Sequence, residues 1–253
     1  MKFLLPTYNN TQGLKKLIRH TNKNDEILIN DNSLNDKIQK ISKKFKNIKY
    51  ERNYPDGALN NWNNILNRAI NQFVIIVHDD EFFLKADIDK LKSLKKEKGY
   101  VYILKYKVFN KKKIINQSIN DKLRYFLITK FPKLCLFVNF IGPTSSYIFY
   151  NKQFQYDKNL NWLVDMDFFY KLIKNKNIKM VPITVNTEVK KNSITNLSIQ
   201  NKYVTELKEF LYFKKKYRIS FIVFILYYFF SLILRLYLKS SNFIMKITKF
   251  NKK

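Results

Sequence analysis

The sequence predicts an α/β protein built on a parallel, doubly wound sheet, and three observations carry that expectation. Short apolar runs alternate with amphipathic stretches of helical period through the first hundred residues. The runs end in polar clusters, Pro6-Thr7-Tyr8-Asn9, Asn30 to Ser33 and His78 to Glu81, which puts the polar loops on one edge of the sheet. The run from Phe73 to Val77 has the length and β-branching of a fully buried strand and leads directly into His78, Asp79, Asp80 and Glu81. Ligands of open α/β sheets collect outside the carboxyl ends of strands, where paired aspartates can share a hard divalent cation with a phosphate-bearing substrate. Alone, the same stretch also reads as a strand followed by a solvated acidic turn.

Phe3 to Leu5 is expected as a first strand stopped by Pro6, and Leu14, Leu17 and Ile18 mark a short helix after it. Glu26 to Ile29 is a second strand. A helix with Ile38, Ile41 and Phe45 on one face leads to a third strand at Ile48 to Tyr50. An asparagine-rich helix from about Asp56 to Asn71 then delivers the chain into the Phe73 strand, and a further helix carries Leu84, Ile88, Leu91 and Leu94. Tyr100 to Phe109 alternates like a strand and Lys111 to Lys113 is a turn. Asp121 to Ile141 mixes apolar, aromatic and basic residues, suiting either a core helix pair or a surface that touches lipid. Ser146 to Tyr150 is strand-like, and Asp165 to Lys174 fits a helix with Met166, Phe169, Leu172 and Ile173 inward. A strand near Lys179 to Thr184 and a charged helix near Ile199 to Phe213 follow.

The C-terminus differs in kind. Ile219 to Leu234 holds no charged residue and is flanked by Lys214-Lys215-Lys216, Arg218, Arg235 and Lys239. Sixteen helical residues span about 24 Å, short of the roughly 30 Å hydrocarbon core, unless a snorkelling Arg235 extends the run to Leu238. A helix that spans, a helix lying in the membrane face and a buried core helix all remain open, because positive charge flanks both ends.

The formal net charge of +29 arises from 48 Lys+Arg against 19 Asp+Glu, and only six of the cations are arginine. Nucleic-acid readers rely on arginine forks as well as lysine, so this balance points to anionic membrane or phosphate-rich substrates rather than to nucleic acid. One cysteine, Cys135, excludes an internal disulfide and a cysteine metal cluster, and its apolar neighbours suggest an inert thiol. Lys2 to Leu5 is too short an apolar run to serve as a signal peptide.

Taken in this order and spacing, the three polar clusters resemble those of the family 2 glycosyltransferases with a GT-A fold. There a first strand ends in a P-T-Y-N loop, a second in D-D-x-S and a fourth in an Asp-x-Asp metal motif. The likeness continues through NYPDGALNNWNNILNRA, Asn53 to Ala69, and resumes at IGPTSSYIFYNKQFQYDKNLNWLVDMDFFYKL. The latter is similar to the acceptor-side segment of transferases that build bacterial surface polysaccharides. The resemblance covers about residues 1–185 and implies a GT-A domain over residues 1–213, with a nucleotide half to about 98 and an acceptor half beyond it. Residues 214–253 are expected as a basic and hydrophobic membrane-associated segment.

Carried over by motif, Pro6, Thr7 and Tyr8 belong to the nucleotide pocket and Asp31 accepts a hydrogen bond from the base. Asp80 is the metal-binding aspartate, Asp79 stands beside it toward ribose or metal, Asp165 is the catalytic base and Asp167 a second acidic residue of that helix start. The implied activity is an inverting, metal-dependent transfer, with Mn²⁺ or Mg²⁺, from a nucleotide-diphosphate sugar to a saccharide acceptor that is lipid-linked. The expected place is the cytoplasmic face of the inner (plasma) membrane, in synthesis of O-antigen, capsule or lipooligosaccharide. Asn30, His78 and Val164 depart from the family pattern and motivate a rival, a catalytically inactive membrane-bound relative that binds saccharide or nucleotide. Asp31 with Ser33 could form an Asx turn, Asp165 could be a helix cap, and His78 reads as a hydrogen-bonded site wall.

Overall fold

The computed structural model describes residues 1–53, 57–110, 113–189 and 202–233. In chain order its elements are β1 (Lys2–Thr7), α1 (Thr11–His20), β2 (Glu26–Asp31), α2 (Lys37–Ser42), β3 (Ile48–Arg52), α3 (Ala58–Asn67), β4 (Phe73–Ile76), β5 (Glu81–Phe83) and α4 (Lys85–Ser93). They continue with β6 (Tyr100–Asn110), β7 (Lys113–Gln117), α5 (Asp121–Lys130), β8 (Tyr147–Tyr150), α6 (Val164–Ile173), β9 (Asn177–Glu188) and α7 (Lys202–Lys216), with 3₁₀ turns at Pro132–Leu136 and Thr144–Ser146. The strands form one sheet in the order β3-β2-β1-β4-β8-β6-β9-β5, with β7 also paired to β6.

The first four strands are parallel, as the alternation of runs predicted. The whole sheet is mixed, because β8 enters antiparallel to both β4 and β6. Successive strand side chains point to opposite faces, so each apolar run feeds two cores. Phe3, Leu5, Ile27, Ile29, Ile75 and Val77 pack under α1, α2 and α4; Leu4, Leu28, Val74 and Ile76 pack with α3, α6 and α7. Each such fully buried aliphatic side chain contributes about 1.5–3 kcal/mol. The core therefore holds the carboxyl ends of β1, β2 and β4 side by side, where the polar clusters begin.

Several expectations are corrected. Pro6 does not stop the first strand: β4 pairs with β1 only as far as Leu4, so at Pro6 no acceptor on that side lacks its donor, while Pro6 still registers with Asn30 of β2. Glu81 to Phe83 form a strand, held by long-range pairing to β9. Leu84 and Phe45, expected on inward helix faces, are exposed. The asparagine-rich helix is shorter than expected, and Asp56 and Lys111 lie outside the described residues.

The C-terminal hydrophobic helix is present over residues 221–233, and the remainder of the expected run, from 234, lies outside the described residues. No helix among the described residues is long and apolar enough to cross a membrane. This one is amphipathic by packing. Phe224 and Tyr227 set their rings 5.7 and 5.8 Å from Phe137, whereas Phe221, Ile222, Leu226, Phe229 and Ile233 face outward. The Asp121 to Ile141 stretch divides likewise: Leu134 to Val138 are core, while Leu123, Tyr125, Phe126 and Phe131 are exposed.

Candidate functional site

The loops after β1, β2 and β4 are tied to one another by their own polar side chains. Thr7 Oγ1 donates to Asp79 Oδ1 at 2.8 Å, and the Tyr8 amide donates to Asp79 Oδ2 at 3.3 Å. Asn9, at a left-handed φ of 52°, turns the chain so that its amide donates to Ser33 Oγ at 2.7 Å. Asn10 then caps α1, accepting from the Gln12 amide. The Asx turn that the sequence allowed is present: Asp31 Oδ1 accepts from the Ser33 amide at 2.8 Å, and Oδ2 accepts from the Tyr50 hydroxyl at 2.9 Å. Asp31 is fully buried, and burial together with that carboxylate pushes the Tyr50 hydroxyl up to about 12. Asn30 accepts from the Arg68 guanidinium, which also bonds the Ile29 carbonyl, so the neutral amide fills a structural place there. Tyr8, by contrast, is open to solvent.

Beyond β4 the chain turns tightly. The His78 amide donates to Glu81 Oε2 at 2.7 Å, and the Glu81 amide donates back to the His78 carbonyl at 3.0 Å. Glu81 is buried. Its carboxyl is held well above the usual range by burial first, then by the charges of Asp80 and Asp165. Asp80 is partly exposed, no described residue hydrogen bonds its carboxylate, and its carbonyl accepts from the Glu188 amide at the end of β9. His78 Nε2 lies 3.2 Å from Thr144 Oγ1, which lies 3.2 Å from Asp165 Oδ1. Burial raises the Asp165 carboxyl, against the opposing influence of His78 and Thr144. Trp62 meets the His78 ring edge-on at 5.1 Å and contacts Tyr156 at the same separation. The expected site residues thus fall into two groups. Tyr8 is exposed and Asp79, Asp80 and Asp165 are partly exposed, while Pro6, Thr7 and Asp31 are buried.

Asp165 is not the cap of α6; that position is Leu163, and a residue from another element holds the turn before it. Glu209 of α7 accepts from the amides of Asn161, Trp162 and Leu163 at 2.6–3.2 Å, so one buried carboxylate holds the turn that leads into α6. Asp167 faces away from the site. It is fully buried and held by Lys216 at 2.5 Å, Lys171 at 2.8 Å and the Tyr217 hydroxyl at 2.6 Å. Helical geometry carried the warning, since residues two apart point roughly 200° apart and cannot both face one site. Glu81, Thr144 and Glu209 were not assigned from the sequence, where an isolated Thr or Glu has no distinguishing pattern. Asn63 of α3 exchanges hydrogen bonds with the Tyr156 backbone at 2.7 and 3.1 Å, pinning the acceptor-side loop.

Among the described residues no group of three or more His, Cys, Asp or Glu side chains could hold a metal ion. The oxygens on offer are those of Asp79 and Asp80. That pair suits a cation bound jointly with substrate phosphates, which takes only one or two protein carboxylates, and does not suit a resident all-protein site.

Comparison with known proteins gives a consistent picture. The model of the family described as "Glycosyl transferase family 2" matches residues 3–158, a range that ends before Asp165. A Campylobacter jejuni protein named GalNAc(5)-diNAcBac-PP-undecaprenol beta-1,3-glucosyltransferase is 26% identical over 132 residues, which is 48% of this chain and 42% of that protein. The crystal structure of S. aureus TarS 1-349 in complex with UDP-GlcNAc superposes with a TM-score of 0.56 at 17% identity, covering 83% of this chain and 66% of that one. The UDP complex of the same fragment gives 0.53 at 20% identity, covering 76% and 61%. The chain therefore spans less than two thirds of these relatives, and the likeness to the solved structures is one of fold.

Proposed function

The chain belongs to glycosyl transferase family 2 and has a GT-A-like fold, and we propose that it transfers a sugar, with inversion, from a nucleotide-diphosphate sugar to a lipid-linked saccharide. The observation that carries this reading is a single bridge. Thr144 reaches from His78, the residue before Asp79-Asp80, to Asp165 at the start of α6, so one side chain links the donor-side loop to a partly buried carboxylate. In this reading Pro6, Thr7, Tyr8, Asp31 and Asp79 form the nucleotide pocket, with Asp31 as its floor. Asp80, with Asp79 beside it, would hold a Mn²⁺ or Mg²⁺ ion, which would supply charge neutralisation as the diphosphate leaves.

Asp165 accepts the proton of the acceptor hydroxyl as that oxygen bonds to the anomeric carbon. The bond from that carbon to the diphosphate breaks in the same step, and one displacement inverts configuration. Burial raises the Asp165 carboxyl, the direction that strengthens a carboxylate as a base. A uridine diphosphate sugar is the donor class to try first, since the TarS fragment was crystallised with UDP-GlcNAc; the Campylobacter relative's name supports a polyprenol-linked acceptor in surface-glycan synthesis. We place the enzyme at the cytoplasmic face of the inner (plasma) membrane, docked by residues 214–253 and joined to a catalytic domain over residues 1–213.

The test is a panel of nucleotide sugars incubated with the full chain and Mn²⁺ or Mg²⁺, scored for nucleoside diphosphate release. Release from one donor, lost with EDTA and with Asp80→Ala, is expected. Asp165→Asn should cut transfer by about 10²–10⁴-fold while sparing donor binding. A chain that binds no nucleotide sugar and releases no diphosphate is the inactive relative instead.

A further inference from the structure

Thr144 is built into its place. Gly142 has φ of +112°, and a Cβ there would stand 2.3 Å from the Tyr106 ring and 2.7 Å from Ser146 Oγ, so only glycine lets the chain turn this tightly into the Thr144–Ser146 3₁₀ turn. The Ser146 amide closes the turn on the Pro143 carbonyl at 2.8 Å. Thr144 is left 2% exposed, with its hydroxyl between His78 Nε2 and Asp165 Oδ1 and beside the buried hydroxyls of Tyr147 and Tyr156.

A threonine hydroxyl has a single proton, and an ionised carboxylate can only accept. The proton on Thr144 Oγ1 therefore points to Asp165, and the hydroxyl oxygen accepts from His78, which must carry its proton on Nε2. His78 is itself fixed by its amide bond to Glu81 and by the edge contact with Trp62. The chain of fixed groups thus begins on the donor-side loop, passes through one hydroxyl and ends on the carboxylate. One oxygen of Asp165, Oδ1, is thereby engaged by Thr144.

We infer that Thr144 is a positioning residue for the transfer, orienting the Asp165 carboxylate by a hydrogen bond from its hydroxyl, whose oxygen in turn accepts from His78 Nε2–H. This rests on the reading of Asp165 as the base, and deepens it. It also gives His78 a use that departs from the family pattern: where an aspartate would repel Asp165, an imidazole N–H supports the bridge.

The test uses the full chain and two substitutions, Thr144→Val, which keeps shape and removes the hydroxyl, and Thr144→Ser, which keeps the hydroxyl. The chain has two histidines, so the ¹⁵N imidazole spectrum has two ring systems, and His78→Asn identifies which is His78. Wild type and Thr144→Ser should show the His78 Nε2–H form, and Thr144→Val should lose it. An unchanged His78 ring in Thr144→Val overturns the bridge. In turnover, Thr144→Val should lose about 10²-fold in kcat with the donor KM unchanged, the scale of a misoriented catalytic group, and Thr144→Ser should recover it. A Thr144→Val enzyme as active as wild type, beside a dead Asp165→Asn, overturns the positioning role while leaving the base intact. Activity surviving in Asp165→Asn overturns the base reading itself, and with it any orienting role for Thr144.

Discussion

At Gly13 two residue-scale effects oppose each other, and magnitude decides between them. Alanine is the better helix former by about 1 kcal/mol, so propensity alone predicts that Gly13→Ala stabilises α1. A Cβ at Gly13, however, would lie 2.7 Å from Asp79 Cα and 2.8 Å from its carbonyl oxygen, and backbone on both sides cannot yield as a flexible side chain could. Overpacking of this kind costs about 1–3 kcal/mol, so the clash is expected to win. Gly13→Ala should lower Tm and weaken nucleotide binding together, because Asp79 is what the Thr7 hydroxyl and Tyr8 amide hold. A rise in Tm with unchanged binding would show that the loop moves freely. Cys135 is a simpler case: it is fully buried, and burial pushes its thiol far up, so it should resist alkylation in the folded chain.

α7 acts on α6 as a clamp at the scale of elements. Glu209, midway along α7, holds the turn that leads into α6, and at the C-terminal end of α7 Lys216 bridges Asp157 and Asp167, with Tyr212 also donating to Asp157. Burial alone would raise the Asp157 carboxyl, but Lys216, the Asn159 amide and Tyr212 outweigh it and bring it down to about 2. A carboxylate depressed on folding contributes stability that is present above its unfolded value of about 3.9 and is lost as pH falls toward 2. Asp157→Asn should therefore flatten the acid limb of Tm between about pH 4 and 2, and a limb of unchanged slope would place the acid sensitivity elsewhere. Glu209→Ala, which strands three amides, should cost about 1–3 kcal/mol and disturb the segment bearing Asp165. Little of this clamp was legible in the sequence. The parallel half of the sheet was, because β1, β2 and β4 are apolar runs with clear polar ends. β5 and β7 were not, because three to five residues become strand only through partners such as β9 and β6, distant in sequence or across a turn. The same holds for the site: Asp79 and Asp80 announce themselves at a strand end, whereas Thr144 gains meaning only from two residues it meets in space.

For the molecule as a whole, exposed apolar residues and basic residues alternate along the C-terminal helices. Residues 221–233 pack one face on Phe137 and Phe210 and turn Ile222, Leu226 and Phe229 outward, each more than 60% exposed. Val204, Leu207 and Leu211 of the neighbouring α7 are exposed at helical spacing, and Lys208, Lys214, Lys215 and Arg218 lie among them in sequence. An apolar face bordered by lysine matches a helix lying in the plane of an anionic bilayer, where buried apolar area and attraction to lipid headgroups add. The helix described is too short to span, so binding should be interfacial and only partly resistant to salt. The full chain should co-sediment with vesicles containing anionic phosphatidylglycerol and much less with neutral phosphatidylcholine. Leu226→Glu with Phe229→Glu should reduce binding without lowering Tm, because neither side chain supports the core. Equal binding by that variant would mean that residues 234–253 or the general lysine charge hold the membrane, and would remove this helix face from the account.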